Sequence, residues 1–296
     1  MKSIFITGSG GFVGQNIIKY FNSIYEFYRF SKNDEININQ EVVLHLAGKA
    51  HDLKNTSNAQ EYYIVNTELT KQVFDSFIES AAKVFITLSS VKAVADEVDG
   101  ELTEDVTPNP ITHYGKSKLL AEQYIFAQPI PDGKRVYILR PCMIHGPGNK
   151  GNLILLYSLV SKGLPWPLGL FENSRSYLSI ENLCFIINEL IDREDIPSGV
   201  YNVADDLPIS TNEVIKMIAE SKGKKAKILK LSKNLIMELA RVGDSLKLPL
   251  NSERLQKLTE SYVVSNSKIK SALGKPLPIS TKNGLIRTFQ SFANNV

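Results

Sequence analysis

The chain has 296 residues, of which 43% are hydrophobic and 22% are charged, and its formal net charge is +3 at pH 7. These values are ordinary for a globular protein of one large or two modest domains, and the charge is too small to indicate a nucleic-acid partner. Cys142 and Cys184 lie in apolar settings, which does not indicate a disulfide framework. The sequence shows neither the apolar core of a signal peptide nor a run long enough to span a bilayer, so we expect a cytoplasmic protein without an integral membrane segment.

The first motif is a glycine turn between a strand and a helix. The apolar run Ile4 to Ile6 predicts a buried strand, and an apolar stripe from Val13 to Phe21 predicts the helix. Glycines in this setting let the backbone approach a pyrophosphate, while free N–H groups at the helix start point towards it. Position 13 is Val, so the spacing departs from the strict G-x-G-x-x-G fingerprint. The alternative is a tight turn without a ligand. The residues expected to contact a dinucleotide here are Gly8, Gly10, Gly11, Phe12, Val13 and Gly14.

The next segment bears on the choice of cofactor. Residues 26–30 predict the second strand, and Arg29, Ser31 and Lys32 lie at its end, where an acidic residue would select NAD. A hydroxyl and cations suit a 2′-phosphate, so NADP is predicted, with NAD as the alternative. The connection from residue 32 to 41 is too short for the crossover helix that parallel strands normally need.

Residues 42–47 predict another buried strand, which ends at Gly48. His45 and His51 flank the following loop, but no Cys or carboxylate cluster accompanies them, so a structural role is favoured and no metal site is predicted. Apolar residues at helical spacing predict a helix over residues 58–80, with the polar Asn66 inside it.

A possible catalytic group follows the next predicted strand, residues 84–88. Ser89 and Ser90 come at its carboxyl end, where open α/β sheets bind ligands. The acidic, proline-bearing stretch 96–110 predicts a loop, and a helix is expected from Tyr114 towards Phe126. Tyr114 and Lys118 are four residues apart and share one helix face. A nearby ammonium favours the phenolate, so we expect Lys118 to lower the pKa of Tyr114 towards that of a general acid or base.

Together these motifs resemble the extended short-chain dehydrogenase/reductases that act on nucleotide sugars. The similarity becomes loose after about residue 205. The segments that carry it are Thr7–Gly14, His45–Gly48, Leu88–Ser90, Tyr114–Lys118, Arg140–Pro147, Arg175–Leu183 and Tyr201–Ala204.

The resemblance implies an α/β fold, with a Rossmann-type doubly wound parallel sheet and a smaller mixed α/β C-terminal domain that binds the substrate. The implied boundaries are 1–148 for the dinucleotide-binding domain, with a return segment near 178–204, and 149–177 plus 205–296 for the nucleotide-sugar-binding domain. Members of this family usually form homodimers, so the resemblance implies a homodimer here.

The resemblance also implies roles for individual residues. Tyr114 exchanges a proton with the sugar oxygen, Ser90 donates a hydrogen bond to that oxygen, and Lys118 lowers the pKa of Tyr114 and contacts the nicotinamide ribose. Ser89 is the alternative to Ser90. The other cofactor contacts that it implies are Leu46, Ala47 and the supporting Asn66.

The C-terminal part is expected to bind the nucleotide diphosphate. Asn152 begins an apolar helix and is expected to cap it beside a phosphate, or only to cap it. Arg175 is the leading phosphate ligand and Arg254 the second, because a guanidinium binds phosphate in a bidentate manner. The loop 164–168 contains Trp166, which packs either against the uracil or in the core.

The sequence departs from the family at several places. His145 replaces a tyrosine, and Val91 and Lys92 replace residues of the motif that usually follows the serine pair. The favoured function is NADP-dependent reduction of a UDP-4-keto-6-deoxy-N-acetylhexosamine for surface polysaccharides. The alternatives are a UDP-sugar 4-epimerase with tightly bound NAD and a non-catalytic NADP-binding protein; a dehydratase is disfavoured.

A run of lysines precedes an amphipathic segment over residues 235–242. We expect a solvated linker before a helix. Contact with an acidic membrane surface is the alternative. The lysines are Lys222, Lys224, Lys225, Lys227, Lys230 and Lys233.

Overall fold

The centre of the molecule is a parallel sheet of six strands, seen in a computed structural model that describes residues 1–32, 34–49, 58–149, 151–246 and 251–293. The strands are β1 Ser3–Thr7, β2 Glu26–Arg29, β3 Val42–His45, β4 Val84–Leu88, β5 Glu101–Leu102, β6 Arg135–Pro141, β7 Met143–His145, β8 Tyr177–Ser179, β9 Gly199–Val203 and β10 Val263–Val264. The six-stranded sheet has the order β2-β1-β3-β4-β6-β9, and every pairing in it is parallel.

Helices cover both faces of this sheet, as the buried apolar strands require. The helices are α1 Phe12–Phe21, α2 Ala59–Tyr63, α3 Leu69–Glu79, α4 His113–Ala127, α5 Asn152–Ser161, α6 Ile180–Asp192, α7 Thr211–Ser221, α8 Lys233–Leu246, α9 Ser252–Thr259, α10 Ser267–Leu273 and α11 Thr281–Ala293. Helices α1 and α6 pack on one face, and α3 and α4 on the other. The predicted Rossmann-type, doubly wound architecture is confirmed.

In the first half of the chain, the short connection after β2 agrees with the sequence prediction, whereas the helix predicted over residues 58–80 does not. The described residues between Phe30 and Glu41 form no helix, as the short connection predicted, and Ile38 is buried there beside the sheet. The predicted helix over 58–80 is instead interrupted by a π-helical segment, Ile64–Glu68, between α2 and α3. The interruption surrounds Asn66, whose side chain is fully buried.

The stretch from Asp96 to Pro110, predicted to be a loop, contains the short strand β5. It pairs in parallel with β10 from near the end of the chain. Tyr262, next to β10, donates a hydrogen bond to the carbonyl of Ala95 at 2.7 Å. The partner strand lies far away in sequence, so no local pattern could indicate the pairing.

A second hydrophobic core lies in the C-terminal part, between α5, α7, α8 and α11. Trp166 is buried in it and donates from Nε1 to Oδ1 of Asn212 at 2.9 Å, which assigns this residue to the core. The domain boundaries given above remain a prediction. No helix among the described residues is long and apolar enough to cross a bilayer.

A buried ion pair joins α4 to the sheet. The guanidinium of Arg140 on β6 donates from Nε to both oxygens of Glu122, at 3.0 and 3.1 Å, and from Nη2 at 2.5 Å. Both side chains are buried. Removing one partner of such a pair leaves an uncompensated charge.

We expect Glu122→Gln to lower the free energy of unfolding by about 3 kcal/mol, because the Arg140 guanidinium then loses its counter-charge in a dry site. Urea denaturation measures the change. Glu213→Gln is the matched control, since Glu213 pairs with Lys216 at the surface and its loss should cost less than about 1 kcal/mol. Equal effects of the two substitutions would contradict the assignment.

Candidate functional site

The glycine turn after β1 is shaped by two close backbone approaches. Gly8 has φ of +70°, and a Cβ there would lie 2.6 Å from the amide nitrogen of Ala47. A Cβ at Gly14 would lie 2.4 Å from the Gly8 carbonyl oxygen. Gly11 donates from its N–H to that same carbonyl at 3.0 Å and forms the N-cap of α1. The backbone therefore leaves an open cradle at the helix start, which fits the pyrophosphate of a dinucleotide.

Asn66 ties three elements of the site together. Its amide oxygen accepts from the N–H of Lys49 at 2.7 Å, and its amide nitrogen donates to Lys49 O at 3.1 Å and to Ser117 Oγ at 3.0 Å. It thus joins the loop after β3 to α4. Short π-helical segments are frequent at functional sites, and here the segment delivers this amide to its partners.

The start of helix α4, just before Tyr114, is fixed by a cap and by a close backbone approach. Thr112 caps it by accepting from the N–H of Gly115 at 3.2 Å, and the carboxylate of Asp96 holds Thr112 Oγ1 at 3.1 Å. A Cβ at Gly115 would lie 2.3 Å from the Lys92 carbonyl oxygen. Glycine is therefore required at 115 for α4 to approach the turn that carries Ser90.

Ser90, Tyr114 and Lys118 are brought together at the carboxyl ends of the strands. Ser90 is hydrogen-bonded to Tyr114, and its Oγ also accepts from the N–H of Lys92 at 3.2 Å. The ammonium of Lys118 donates to the Leu88 carbonyl oxygen at 2.8 Å. Ser89 Oγ is buried and makes no hydrogen bond with any described residue. The contact with Tyr114 supports Ser90 over Ser89.

The electrostatics correct one expectation. The pKa of Tyr114 is raised, chiefly by burial; the hydrogen bond from Ser90 lowers it, and Tyr62 raises it further. The prediction that Lys118 lowers the pKa of Tyr114 below its ordinary value is therefore wrong for this structure, because desolvation dominates and the contact that lowers the pKa is with Ser90. Burial also lowers the pKa of Lys118 to about 8, against an opposing effect of Glu122.

One cavity of about 400 Å³ is lined both by the glycine turn after β1 and by the Ser90, Tyr114 and Lys118 group. Gly8 and Phe12 line it, and so do Ser90, Tyr114 and Lys118. Leu46, Gly11, Val13 and Gly14 complete the lining from the predicted cofactor residues. Ala47 contributes its N–H to Thr7 Oγ1 at 3.1 Å instead, and Gly10 has open space around it.

The predicted cofactor residues at the end of β2 lie apart from this cavity. Arg29, Ser31 and Lys32 are not among the described residues that line it. The backbone N–H of Ser31 donates to the carboxylate of Asp34 at 2.8 Å. Asp34 thus places an acidic group near the end of β2, three residues after Ser31, although neither residue 31 nor residue 32 is acidic.

The predicted substrate residues behave differently from one another. The N-cap of α5 is Gly151, not Asn152, which is the first helical residue, so the predicted capping role is wrong. Arg175 donates to the Lys257 carbonyl oxygen and faces Glu260 at 3.5 Å. Arg254 is exposed on α9. Whether any of the three contacts a substrate remains a prediction.

Lys92 is a candidate that sequence reasoning missed. It follows Ser90 by two residues, its Nζ lies 4.1 Å from the ring centroid of Tyr262, and it donates to the Asp96 carbonyl oxygen at 2.6 Å. Burial lowers its pKa, and Arg175 contributes in the same direction. The signal in the sequence was a lysine where the family motif has another residue.

His45 has the structural role that the sequence favoured for it. His45 bridges Thr7 Oγ1 at 2.8 Å and Thr70 Oγ1 at 2.9 Å, and burial lowers its pKa to about 3, so it is neutral. His51 lies outside the described residues. Over the described part of the chain, no three His, Cys, Asp or Glu side chains cluster as metal ligands do.

We expect Gly14→Ala to weaken NAD binding at least about tenfold, because the added carbon must displace the turn that forms the cradle. Isothermal titration with NAD measures the loss. Gly10→Ala is the matched control, since a Cβ there meets nothing within 4 Å and binding should be retained. If both variants bind equally well, the cradle is not the cofactor site.

The pKa of Lys118 predicts a pH dependence of stability. The unfolded chain keeps this proton up to its ordinary pKa of 10.5, whereas the folded chain releases it near pH 8. Between these values the unfolded state binds more protons, so stability rises with pH. Relative to Lys118→Met, the natural protein should gain on the order of 2 kcal/mol between pH 7 and pH 10. An unchanged difference in urea denaturation would contradict the burial of this ammonium.

Comparison with known proteins agrees with this geometry. Residues 31–204 match the family model described as the NAD dependent epimerase/dehydratase family. A UDP-glucose 4-epimerase of Vibrio cholerae is 33% identical, over 99% of this chain and 97% of that protein. An N-acetyl-alpha-D-glucosaminyl-diphospho-ditrans,octacis-undecaprenol 4-epimerase of Escherichia coli O157:H7 is 28% identical, over 84% of this chain and 76% of that protein.

The solved structure of MoeE5 in complex with UDP-glucuronic acid and NAD has the same fold. Its TM-score is 0.77 over 99% of this chain and 100% of that chain, at 19% identity. The family match and the full-length relative together fix the membership that the glycine turn and the Ser90, Tyr114 and Lys118 group indicated. The chain therefore belongs to the NAD dependent epimerase/dehydratase family.

Proposed function

We propose that this protein is an NAD-dependent 4-epimerase of a hexose attached to a diphosphate carrier. The single observation that carries the proposal is the cavity shared by the glycine turn and by Ser90, Tyr114 and Lys118. Two relatives support the reaction type, since both are named as 4-epimerases, one of a UDP-sugar and one of a sugar diphosphate on undecaprenol. This reverses the order of the two hypotheses that the sequence alone favoured.

In this proposal Tyr114 exchanges a proton with the C4 oxygen of the sugar. Ser90, already hydrogen-bonded to Tyr114, donates to the same oxygen and stabilises the charge that develops there. The ammonium of Lys118, which is hydrogen-bonded to the Leu88 carbonyl oxygen, provides a positive charge at the wall of the cavity. When bound, the nicotinamide would supply the hydride chemistry that inversion at C4 requires. The cradle at Gly8 and Gly14 holds its pyrophosphate.

The end of β2 supports NAD over NADP in this proposal. The carboxylate of Asp34 lies at Ser31 N, and a carboxylate accepts from a ribose 2′-OH but repels a 2′-phosphate. Arg175 and Lys92 would neutralise the substrate diphosphate, with Arg175 exchanging its contact with Glu260 for a phosphate. Asn152 and Arg254 remain weaker candidates for the same ligand. A homodimer and a cytoplasmic location also remain predictions.

The second candidate is the NADPH-dependent reduction of a UDP-4-keto-6-deoxy-N-acetylhexosamine. It uses the same three catalytic residues, and the cations Arg29 and Lys32 at the end of β2 favour it. The two functions differ in their balance of electrons, because an epimerase recovers its hydride and a reductase consumes one equivalent of NADPH.

Two incubations separate the candidates. UDP-glucose or UDP-N-acetylglucosamine with NAD should give the 4-epimer by NMR, with no net change in absorbance from reduced cofactor. Stoichiometric oxidation of NADPH in the presence of the 4-keto sugar, without interconversion of 4-epimers, would replace the epimerase proposal by the reductase.

We expect Tyr114→Phe to lower kcat at least about 100-fold while NAD binding is retained, because the phenol transfers the proton but does not form the cradle. Epimer formation measured by NMR and NAD titration give the two readouts. Tyr63→Phe is the control. The Tyr63 hydroxyl, on α2, lies 3.0 Å from Nδ1 of His113 on α4, and turnover should be preserved when it is removed. Unchanged turnover in the Tyr114 variant would exclude the assigned role.

A further inference from the structure

Helix α8 carries two apolar stripes, of which only one is packed. Ile236, Ala240 and Gly243 are buried against the C-terminal core. Beside them on the helix, four aliphatic side chains recur at the spacing of a single face and face solvent. Their exposed fractions are 51% for Leu235, 48% for Leu239, 50% for Val242 and 65% for Leu246.

The segment that leads into α8 adds positive charge next to this stripe. Lys224, Lys225, Lys227, Lys230 and Lys233 are all exposed. Backbone hydrogen bonds from Trp166 N to Lys227 O and from Leu229 N to Trp166 O, both 2.8 Å, hold the segment against the loop before α6. Leu229 and Leu164 are exposed on these two bridged segments, so aliphatic side chains lie near the exposed lysines there.

The positive charge of this surface favours an anionic partner over a second copy of the chain. In a two-fold symmetric dimer each patch faces itself, so a second copy would bring the same lysines against each other. An anionic bilayer complements both properties, since its headgroups attract lysines and its acyl boundary accepts aliphatic side chains. The charged residues of α8 itself are two cations and two carboxylates: Lys233 and Arg241, Glu238, which pairs with Arg241 at 2.6 Å, and Asp244, which accepts from Ser252 N at 2.9 Å.

We propose that the exposed face of α8 and the lysine segment 224–233 form a docking surface for an anionic lipid bilayer. The aliphatic stripe enters the headgroup boundary and the lysines contact the phosphates. The helix lies on the membrane and does not cross it. This inference does not depend on the proposed function, because it uses none of the residues assigned to the catalytic cavity.

Vesicle sedimentation of the full chain tests the proposal. The protein should pellet with vesicles of an equimolar mixture of phosphatidylcholine and phosphatidylglycerol, and not with pure phosphatidylcholine, and high salt should release it. Leu239→Gln combined with Val242→Gln should weaken binding at least about tenfold by removing apolar contact. Lys224→Glu combined with Lys225→Glu should weaken it by about tenfold or more through lost attraction.

Matched controls exclude general effects of surface change. Leu207 is 68% exposed elsewhere, and Lys19 is exposed on α1, so Leu207→Gln and Lys19→Glu should bind vesicles as the natural protein does. Thermal melting checks that all variants are folded. Absence of vesicle binding, equal binding to neutral vesicles, or equal losses in the controls would each overturn the proposal. So would sedimentation showing that the stripe joins two copies while vesicles are ignored.

Discussion

The site depends on one buried cation, the ammonium of Lys118. Its side chain is 7% exposed, and a buried charge is tolerated only when neighbouring groups compensate it. The Leu88 carbonyl oxygen accepts a hydrogen bond from Lys118 Nζ at 2.8 Å, and Glu122 lies one helical turn further on. Glu122 is in turn held by Arg140 on the adjacent strand. This row of alternating charges links α4, which also carries Tyr114, to the sheet.

Features with a local cause were predictable from the sequence. The strand at 84–88, the glycine turn and the helix that carries Tyr114 and Lys118 each follow from a pattern within a few residues, and all were found where expected. The meeting of Ser90 with Tyr114 was implied by the family resemblance and not by any local pattern, and the structure shows the two side chains hydrogen-bonded.

Features with a distant cause were not predictable. The π-helical segment forms where Asn66 reaches Lys49 and Ser117, and a periodic apolar pattern does not record those partners. The pKa of Tyr114 rises because several elements bury it, which a spacing of four residues cannot reveal. The contact of Arg175 with Glu260 is likewise set by the fold of the C-terminal part.

The contact between Tyr262 and the turn after Ser90 has a consequence for the order in which the molecule is made. Tyr262 donates to the carbonyls of Val91 and Ala95, and β10 supplies the partner of β5. Chains are synthesised from the N-terminus, and their N-terminal parts fold first. The central strands can therefore pair on the ribosome, whereas the contacts of Tyr262 and β10 with the serine turn and β5 can form only after residue 264 has emerged. The nascent protein can thus acquire its sheet before it gains the last supports of its reactive turn.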